Sequence, residues 1–547
     1  MSNVTTKRTS GTTLTTLTRS SRDLSFKPRF RHNYGCNDDM YQFLIAYKDW
    51  WQKSLFHVDE QLLQSLVTSN RLPTKPSLSL SNNDLAIDSP KLEPLPWSSY
   101  PNSQALSLLV VHNGQSVPLS VDFANSSLLD QFSRNGLIIN PGGQITSMNW
   151  LSNLETLSNA HYLAVSVINN PKGIHDSINN PELSFFPKKI DNKQIKSSIQ
   201  IWKYDVSTTS AVLQSVYDTS NFGATSNLQW LPINIPDSTP TLGVLIGAFT
   251  DGKLHLLKVS QNDEKYSKVI QTSAQYSAPS ADADSAAIIS YEVFDNDKVI
   301  VGMTDGCIAE YILPYSKLND SSEPDIHIPS YITKIEDSPV NSIMVAEPEP
   351  SKFVVAVNTT GFQSKVFERE NFIQGQITQL SSKTSIKPMY NHALKMFVSA
   401  NAYDSISYNF IRSPQESPNS LLKCDAFISS STLSTILGHP LNITGTSDGD
   451  VYIINYSRKF LNGAKTTNKL LVPLKLWKLR YINNELQLTA NYEPVPPEVP
   501  SQLPVSPPEV VFSSVAWNEN LTGSSVYSAG TISGLLIIER LDPTMKK

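Results

Sequence analysis

The chain has 547 residues, and 44 Lys/Arg against 49 Asp/Glu give it a formal net charge of −5 at pH 7. This length is too great for one small core and suits a large repetitive domain with extensions. The near-neutral charge gives no overall sign of a nucleic-acid binder. No stretch approaches the roughly 18 apolar residues of a membrane span, and the N-terminus lacks the apolar run of a secretory signal. The widely separated Cys36, Cys307 and Cys424 indicate free thiols in an intracellular protein.

Residues 1–36 form a basic tail rich in Ser and Thr, with seven Lys/Arg and one acid, Asp23, among the first 31 residues. Because its apolar content is too low for packing, we predict that the tail is disordered. Four of its cations are candidate contacts to DNA phosphates, namely Arg22, Lys27, Arg29 and Arg31. A flexible solubilising arm or a nuclear-import signal would explain the same charges.

Residues 37–68 carry apolar side chains at helical spacing, which predicts one or two amphipathic helices capped by Asn37 or Asp38. The aromatic residues of this stripe are Phe43, Tyr47, Trp50 and Trp51. The stripe fits either packing against the rest of the chain or docking of a partner subunit, since tandem Trp is favoured at interface anchors. Residues 69–103, rich in Ser, Pro and Asn, are predicted to be a linker or an extended strap.

Residues 104–542 contain seven copies of one sequence motif. Each copy predicts an apolar strand with small residues, a tight turn of the Asx-Gly type, and a second strand whose side chains alternate between the two faces. The copies lie at 163–167 continued by 198–205, and at 246–259, 301–312, 355–367, 397–410, 444–456 and 528–541. Their spacing of about 45–55 residues is the period of four-stranded propeller blades. An Asp-Gly turn closes a hairpin whose twist matches that of its strands.

A further strand candidate precedes each hairpin. These candidates lie at 144–151, 227–232, 288–294, 340–346, 385–391, 433–439 and 511–518. Because one blade cannot bury both of its faces, the blades must close into a ring. We therefore predict an all-β fold, a seven-bladed WD40-like β-propeller over residues 104–542, with a helical and disordered N-terminal extension. Residues 106–112 are predicted to be a closing or outer strand, and a pair of β-sandwiches is the rival interpretation.

Three polar insertions are predicted to interrupt the ring, at 168–197, 261–285 and 491–508. The last is rich in Pro, which favours extended polyproline structure and is excluded from a sheet interior. Such loops would leave the propeller at its rims, where partners could reach them.

Nothing in the sequence indicates an active site. Residues 445–449, Gly-Thr-Ser-Asp-Gly, formally match a hydrolase nucleophile elbow, but they lie in a repeat hairpin and not in a strand–turn–helix. The acid pairs Asp448 with Asp450 and Asp282 with Asp284 lack the remaining ligands of a calcium loop, so we interpret them as turn-forming, solvated acids. The nine histidines have no metal spacing, and no phosphate-binding glycine motif occurs. We therefore predict a protein with no catalytic residues, cofactor or metal.

The first predicted blade contains three distinctive sequence motifs, namely GGQITSMNWL at 142–151, HYLAVSV at 161–167 and IQIWKYD at 199–205. In these residues the chain resembles the WD-repeat propeller subunit of the tau-B module of transcription factor IIIC, the general factor for RNA polymerase III genes. The resemblance covers most of residues 140–542. The usual Trp-Asp dipeptide is missing, since Lys203 follows Trp202, as in a divergent family.

This resemblance implies a non-enzymatic nuclear scaffold that binds a second propeller-containing subunit and a large scaffold subunit of tau-B. That module recognises the B-box promoter element of transfer-RNA genes, so DNA would be bound as part of the complex. Two other classes stay open because propellers host many functions. A propeller adaptor of a chromatin, nuclear-pore or ubiquitin-ligase receptor assembly would need a peptide-binding channel. A propeller enzyme would need converging acids, histidines or a metal at the channel mouth.

Overall fold

A computed structural model describes residues 26–51, 54, 56–75, 78–79, 87–101, 104–154, 157–169, 196–235, 240–279, 286–295, 297–314, 328–361, 364–370, 376–378, 386–412, 419–457, 473–495 and 505–541. Within these ranges, three α-helices precede the sheets, namely α1 (Phe26–Tyr34), α2 (Asp38–Trp51) and α3 (Glu60–Thr68). No helix in the described part of the chain is long and apolar enough to cross a membrane.

Helices α2 and α3 begin at side-chain caps, of which only Asn37 was predicted from the sequence. The Asn37 side-chain oxygen accepts the Met40 N–H at 2.9 Å, and Asp59 Oδ1 accepts the Leu62 N–H at 3.0 Å. The prediction that the tail is disordered is wrong for helix α1, which lies within it. The helix is held by Phe30, which is buried against the rings of Tyr34 and Tyr41.

Three sheets follow one another in the first half of the ring, and the four core strands of each are antiparallel. Blade 1 contains Gln144–Trp150, Ala160–Ile168, Ser197–Asp205 and Ser210–Asp218, extended outward by Tyr266–Gln271 and Lys91–Pro94. Blade 2 contains Thr225–Trp230, Thr241–Phe249, Leu254–Ser260 and Ala274–Tyr276. Blade 3 contains Ile288–Phe294, Lys298–Met303, Cys307–Ile312 and Tyr331–Lys334.

Three more sheets continue the ring. Blade 4 contains Val340–Glu349, Lys352–Thr359, Ser364–Glu368 and Gln376–Thr378. Blade 5 contains Met389–Asn391, Met396–Ala402, Ser405–Phe410 and Asn419–Lys423. Blade 6 contains Ile428–Leu433, Leu441–Thr446, Asp450–Asn455 and Leu474–Ile482, extended outward by Glu485–Thr489, Leu106–His112 and Gln115–Val121, with Glu493–Pro494 at its side.

A last sheet, here named the closing sheet, joins the two ends of the propeller. It contains Ser514–Trp517, Val526–Gly530, Leu536–Arg540, Gly136–Ile139 and Ser126–Leu128. Leu536 pairs with Ile139 and Glu539 pairs with Gly136, both antiparallel. Its first strand lies beside the first strand of blade 1, which closes the ring.

The propeller architecture predicted from the repeat is confirmed, with a correction to the count. Six blades, and not the predicted seven, are each built around four strands that follow one another across the sheet in chain order, while the closing sheet is shared by both ends. Residues 106–112 are the predicted outer strand, on blade 6, and Gly136–Ile139 closes the ring instead. The turn glycines Gly252, Gly306, Gly449 and Gly534 all have positive φ, as the Asx-Gly motif predicts.

The closing sheet is locked to blade 6 by a buried ion pair that has no signal in the sequence pattern. Arg134 donates from Nε to Glu539 Oε1 at 2.5 Å and from Nη2 to Oε2 at 2.7 Å. Its guanidinium lies 3.7 Å from the Trp477 ring centroid and 3.9 Å from that of Tyr492. Burial acts to lower the pKa of Arg134, but the Glu539 charge and hydrogen bonds outweigh it and raise the pKa, so the guanidinium keeps its charge.

Two segments expected to be irregular contain strands. In the range 261–285, Tyr266–Gln271 pairs with blade 1 and Ala274–Tyr276 is the outer strand of blade 2. In the range 69–103, Lys91–Pro94 pairs with Tyr266–Gln271. Most of the insertion expected at 168–197 and the centre of the one expected at 491–508 lie outside the described residues.

A buried histidine joins blade 1 to the closing sheet. Asn518 Nδ2 donates to His161 Nδ1 at 2.6 Å, so the ring proton lies on Nε2, which contacts the Ser158 carbonyl at 3.0 Å and Thr522 Oγ1 at 2.9 Å. Desolvation lowers the pKa of His161 to about 4.

This depressed pKa predicts acid sensitivity. The unfolded state, with a histidine pKa near 6.5, binds the proton more readily than the folded state, so stability is full above about pH 6.5 and falls as the pH drops towards about 4. The full shift corresponds to at most about 3 kcal/mol. Urea unfolding between pH 7.5 and 4.5 should show this loss, and His161→Gln should flatten the curve. Equal pH dependence of the wild type and His161→Gln would contradict the assignment.

Candidate partner-docking surface

Helix α2 packs its inner face on the ring, as the first of the two interpretations of the aromatic stripe predicts. Tyr47 and Trp51 are buried, and the Tyr47 hydroxyl donates to the Gly438 carbonyl at 2.7 Å. Leu44, which precedes Tyr47 by about one turn on the same face, is also buried. Tyr47 and Trp51 are therefore anchors of the helix, and neither is available to a partner while α2 stays on the ring.

The other two aromatic residues of the stripe remain accessible. Phe43 and Trp50 are half-buried, and their rings meet edge to face with centroids 6.2 Å apart. The guanidinium of Arg71 lies 5.2 Å from the Trp50 ring centroid, at cation–π distance. Phe43 and Trp50 together form a half-buried aromatic ridge, with Arg71 packed over the Trp50 ring.

A cleft of about 650 Å³ lies beside this ridge, between the helices and blades 4 and 5. Its apolar lining comes from Met40, Phe43, Pro73, Pro348, Pro350 and Ala393. Pro348 and Pro350 lie at and just beyond the end of Val340–Glu349. Because proline has no backbone N–H, this edge of the cleft has fewer donors that need a hydrogen-bond partner. An apolar cleft bordered by aromatic side chains is a common form of peptide-binding site.

The charges around the cleft are mixed and partly paired within the chain. Lys395 Nζ donates to the Pro348 carbonyl at 2.6 Å, and Glu349 forms an ion pair with Lys352 at 2.6 Å. Desolvation lowers the pKa of His392, which leaves its ring neutral at pH 7. The cleft therefore offers apolar surface and hydrogen-bonding groups without a strong bias in charge.

The four candidate phosphate contacts are only partly described. Arg22 lies outside the described residues, whereas Lys27, Arg29 and Arg31 lie on helix α1. Arg31 is exposed. Lys27 and Arg31 are four residues apart, which places them on one face of the helix.

An acidic cluster on blade 6 contains the predicted turn acids together with Asp425, with ligand-capable oxygens of all three residues within 4.8 Å of one another. Asp448 and Asp450 are buried, so the expectation that they are solvated is wrong. Arg480 lies 2.8 Å from Asp450 Oδ1, and Lys475 also pairs with Asp450. These two cations of the chain offset part of the charge of the three acids. Asp282 and Asp284 lie outside the described residues.

The nucleophile-elbow match is a strand–turn–strand. Ser447 lies in the turn between Leu441–Thr446 and Asp450–Asn455, so a strand and not a helix comes directly after the turn. The turn therefore lacks the strained strand-to-helix bend that would activate a serine.

Sequence reasoning missed Arg71 and the Glu347–Pro350 edge of the cleft. Arg71 lies just beyond the predicted helical segment, and only the fold brings it over Trp50. The alternating Glu and Pro residues at 347–350 were a visible signal, because proline at a strand end marks an exposed edge.

Comparison with known proteins identifies a relative. No protein-family model matches the chain. The chain is similar to the transcription factor tau 91 kDa subunit of Saccharomyces cerevisiae, with 25% identity over 427 residues, 75% of this chain and 58% of the relative. The chain thus spans little more than half the length of this relative. The similarity and the propeller fold together confirm the resemblance found in the sequence, to a propeller subunit of the tau-B module of transcription factor IIIC.

Proposed function

We propose that this chain is a non-catalytic scaffold subunit of transcription factor IIIC, acting in the nucleus within the module that recognises the B-box element of transfer-RNA genes. The observation that carries the proposal is the similarity to the tau 91 kDa subunit over 427 residues. An all-β ring without a recognisable catalytic constellation among its described residues agrees with a role in assembly.

The scaffold would act through a rigid surface offered to partner subunits. Phe43 and Trp50 are the candidates for direct docking, because half-buried aromatic side chains lose little conformational entropy on binding and bury a large area. Tyr47 and Trp51 would support them by fixing α2 on the ring. The partner class is the other subunits of the factor, a second propeller-containing subunit and a large scaffold subunit.

DNA contact by this chain would be electrostatic. Lys27, Arg29 and Arg31 on α1, with Arg22 before it, supply positive charge that suits phosphate and carries no base specificity. We propose that these residues assist DNA binding by the assembled factor, with a steep dependence on salt.

Affinity purification of the tagged chain from its native cell tests the docking surface. The wild type should recover the other subunits, and the double variant Phe43→Ala with Trp50→Ala should lower that recovery at least tenfold, since central aromatic anchors dominate interfaces. Ile45→Ala is the matched control, because Ile45 lies on the same helix and is 38% exposed. The control should leave the recovery of the subunits unchanged.

Each outcome is informative. Equal recovery by the double variant, with both variants folded by circular dichroism, would contradict docking through Phe43 and Trp50. Recovery of an unrelated set of proteins by the wild type would contradict the proposed function itself.

A further inference from the structure

Helix α2 carries two stripes of side chains that have the same spacing. The ring buries the inner stripe, which consists of Met40, Leu44, Tyr47 and Trp51. The outer stripe begins one residue earlier at each position and consists of Asp39, Phe43, Ala46 and Trp50. Steps of four, three and four residues keep side chains on one face of a helix, so the outer stripe is a second continuous face, about 100° around the axis from the first.

The outer stripe is accessible and has the pattern of a helix–helix contact. Asp39 is exposed, while Phe43, Ala46 and Trp50 are half-buried. The large side chains of Phe43 and Trp50 flank the small Ala46, and a small residue at the centre lets a second helix approach to the axis separation of packed helices, about 8–10 Å. The face that the ring leaves free is therefore suited to another helix.

Opposite charges lie at the two ends of this stripe. Asp39 is in the first turn of α2, whereas the Arg71 guanidinium lies 5.2 Å from the ring centroid of Trp50, near the last turn. These ends are about 16 Å apart, because Trp50 lies 11 residues after Asp39 and each residue adds about 1.5 Å. Within the described ranges, neither Asp39 nor Arg71 forms an ion pair. Both charges are therefore available to a partner.

The cleft beside the ridge favours a helix over an extended peptide. Asp39, Phe43 and Arg71 all line it, so it follows the outer stripe. Its blade 4 wall includes Pro348 and Pro350, which have no N–H to offer to an added strand. A helix satisfies its own backbone hydrogen bonds and needs only side-chain contacts. At about 650 Å³ the cleft takes one row of side chains and not a whole helix, which is about 10–12 Å wide.

We propose that the outer stripe receives an amphipathic helix of about 12 residues from a partner subunit, with its apolar row in the cleft. The inference rests on the docking role proposed above for Phe43 and Trp50, and it adds the chemistry of the segment that docks there. With Arg71 at one end and Asp39 at the other, the segment carries an acid at the first end and Lys or Arg at the second. Because acids stabilise the first turn of a helix and bases the last, the acidic end is its N-terminus. The bound helix therefore runs antiparallel to α2.

Site-specific photocrosslinking of the full chain in its native cell tests the proposal. The photoreactive p-benzoyl-phenylalanine replaces Phe43 in one variant and Trp50 in another, and mass spectrometry identifies the partner residues that react. Both variants should react with one segment of one partner. The residue that reacts at position 50 should precede the one that reacts at position 43 by about seven, since seven residues span the same length in both helices. Ile45 is two residues from Phe43 and faces another side of α2, so the same replacement there should give no adduct with this segment.

The spacing and order of the adducts decide the result. A separation of about three residues would show an extended segment and overturn the helix, since a strand rises about 3.3 Å per residue. The reverse order would overturn the antiparallel orientation. If either replacement prevents assembly, Asp39 and Ala46, also seven residues apart on the stripe, take the label and give the same reading.

Failure of this inference is distinguishable from failure of the proposed function. No adduct from a complex that keeps its partners would overturn the docking surface, while the proposed function would stand. Helical spacing in a protein outside transcription factor IIIC would contradict the proposed function and leave this inference intact.

The charged ends have a test of their own. Asp39→Lys should lower the recovery of that partner about threefold, because an exposed ion pair becomes a repulsion. Asp49→Lys is the matched control, since Asp49 is exposed on a different face of α2, and it should leave the recovery unchanged. Equal recovery by the two variants would reject the role of Asp39.

Discussion

Replacing Arg134 by alanine should lower the free energy of unfolding by about 3–5 kcal/mol, the cost of leaving a buried carboxylate without its partner. Glu539 is fully buried, and its two oxygens accept both guanidinium hydrogen bonds. The Tyr527 hydroxyl and the Trp477 indole N–H also donate to Glu539 Oε2, at 2.5 and 3.0 Å. These donors cannot replace the lost positive charge.

The effect should exceed that of an ordinary ion pair because Arg134 also joins separate parts of the ring. Its Nη1 donates to the carbonyls of Leu476 and Ala490, at 2.9 and 2.6 Å, on the blade 6 side. Urea unfolding of Arg134→Ala measures the cost. Lys352→Ala, which breaks the exposed pair with Glu349, is the control and should not move the midpoint. A midpoint for Arg134→Ala equal to that of the control would contradict this account of ring closure.

The second large effect is expected at a hairpin turn of blade 6. Gly449→Ala should destabilise the protein by on the order of 3 kcal/mol, from a left-handed backbone and a steric clash together. Gly449 has a φ of +89°, and an added Cβ would lie 2.2 Å from the Leu479 carbonyl oxygen and 3.0 Å from Val510 Cβ. Because the nearest atom is backbone, relief requires movement of the neighbouring strand.

Gly114→Ala separates these two contributions. Gly114 has a φ of +78°, but an added Cβ would meet no atom within 4 Å. This variant should therefore cost only about 1 kcal/mol, the penalty of the left-handed conformation. Thermal or urea unfolding of both variants gives the comparison. If Gly449→Ala costs no more than Gly114→Ala, the close approach of Leu479 to the turn is contradicted.

The repeated hairpins were predictable because their signal is local. An Asp-Gly turn and two apolar strands lie within some 14 residues, so Thr241–Phe249 and Leu254–Ser260 follow directly from the sequence around Gly252. The inner face of α2 was predictable in the same way, from the helical spacing of Leu44, Tyr47 and Trp51.

Strands that depend on distant partners were missed or misplaced. The first strand of blade 6 is Ile428–Leu433, not the predicted 433–439, because its Ser-rich sequence resembles a loop while the apolar residues after it form a buried connection. Gly136–Ile139 is short, and its role follows only from pairing with Leu536–Arg540 some 400 residues away.

The candidate site shows the same division between local and long-range information. The helical spacing of the aromatic residues predicted the stripe. Which of these residues face outward depends on where α2 packs on the ring, and this placement follows from long-range contacts such as that of Tyr47 with Gly438. Helix α1 was missed because it is held partly by contacts distant in sequence: Tyr34 packs edge to face on Phe410 and donates to the Leu394 carbonyl at 2.9 Å.

The identity of the proteins that co-purify with the tagged wild-type chain from its native cell tests the central claim most directly. Mass spectrometry should identify the other subunits of transcription factor IIIC, in stable amounts that survive moderate salt. A different stable set of partners, such as chromatin, nuclear-pore or ubiquitin-ligase components, would contradict the proposed function and leave the propeller itself unaffected.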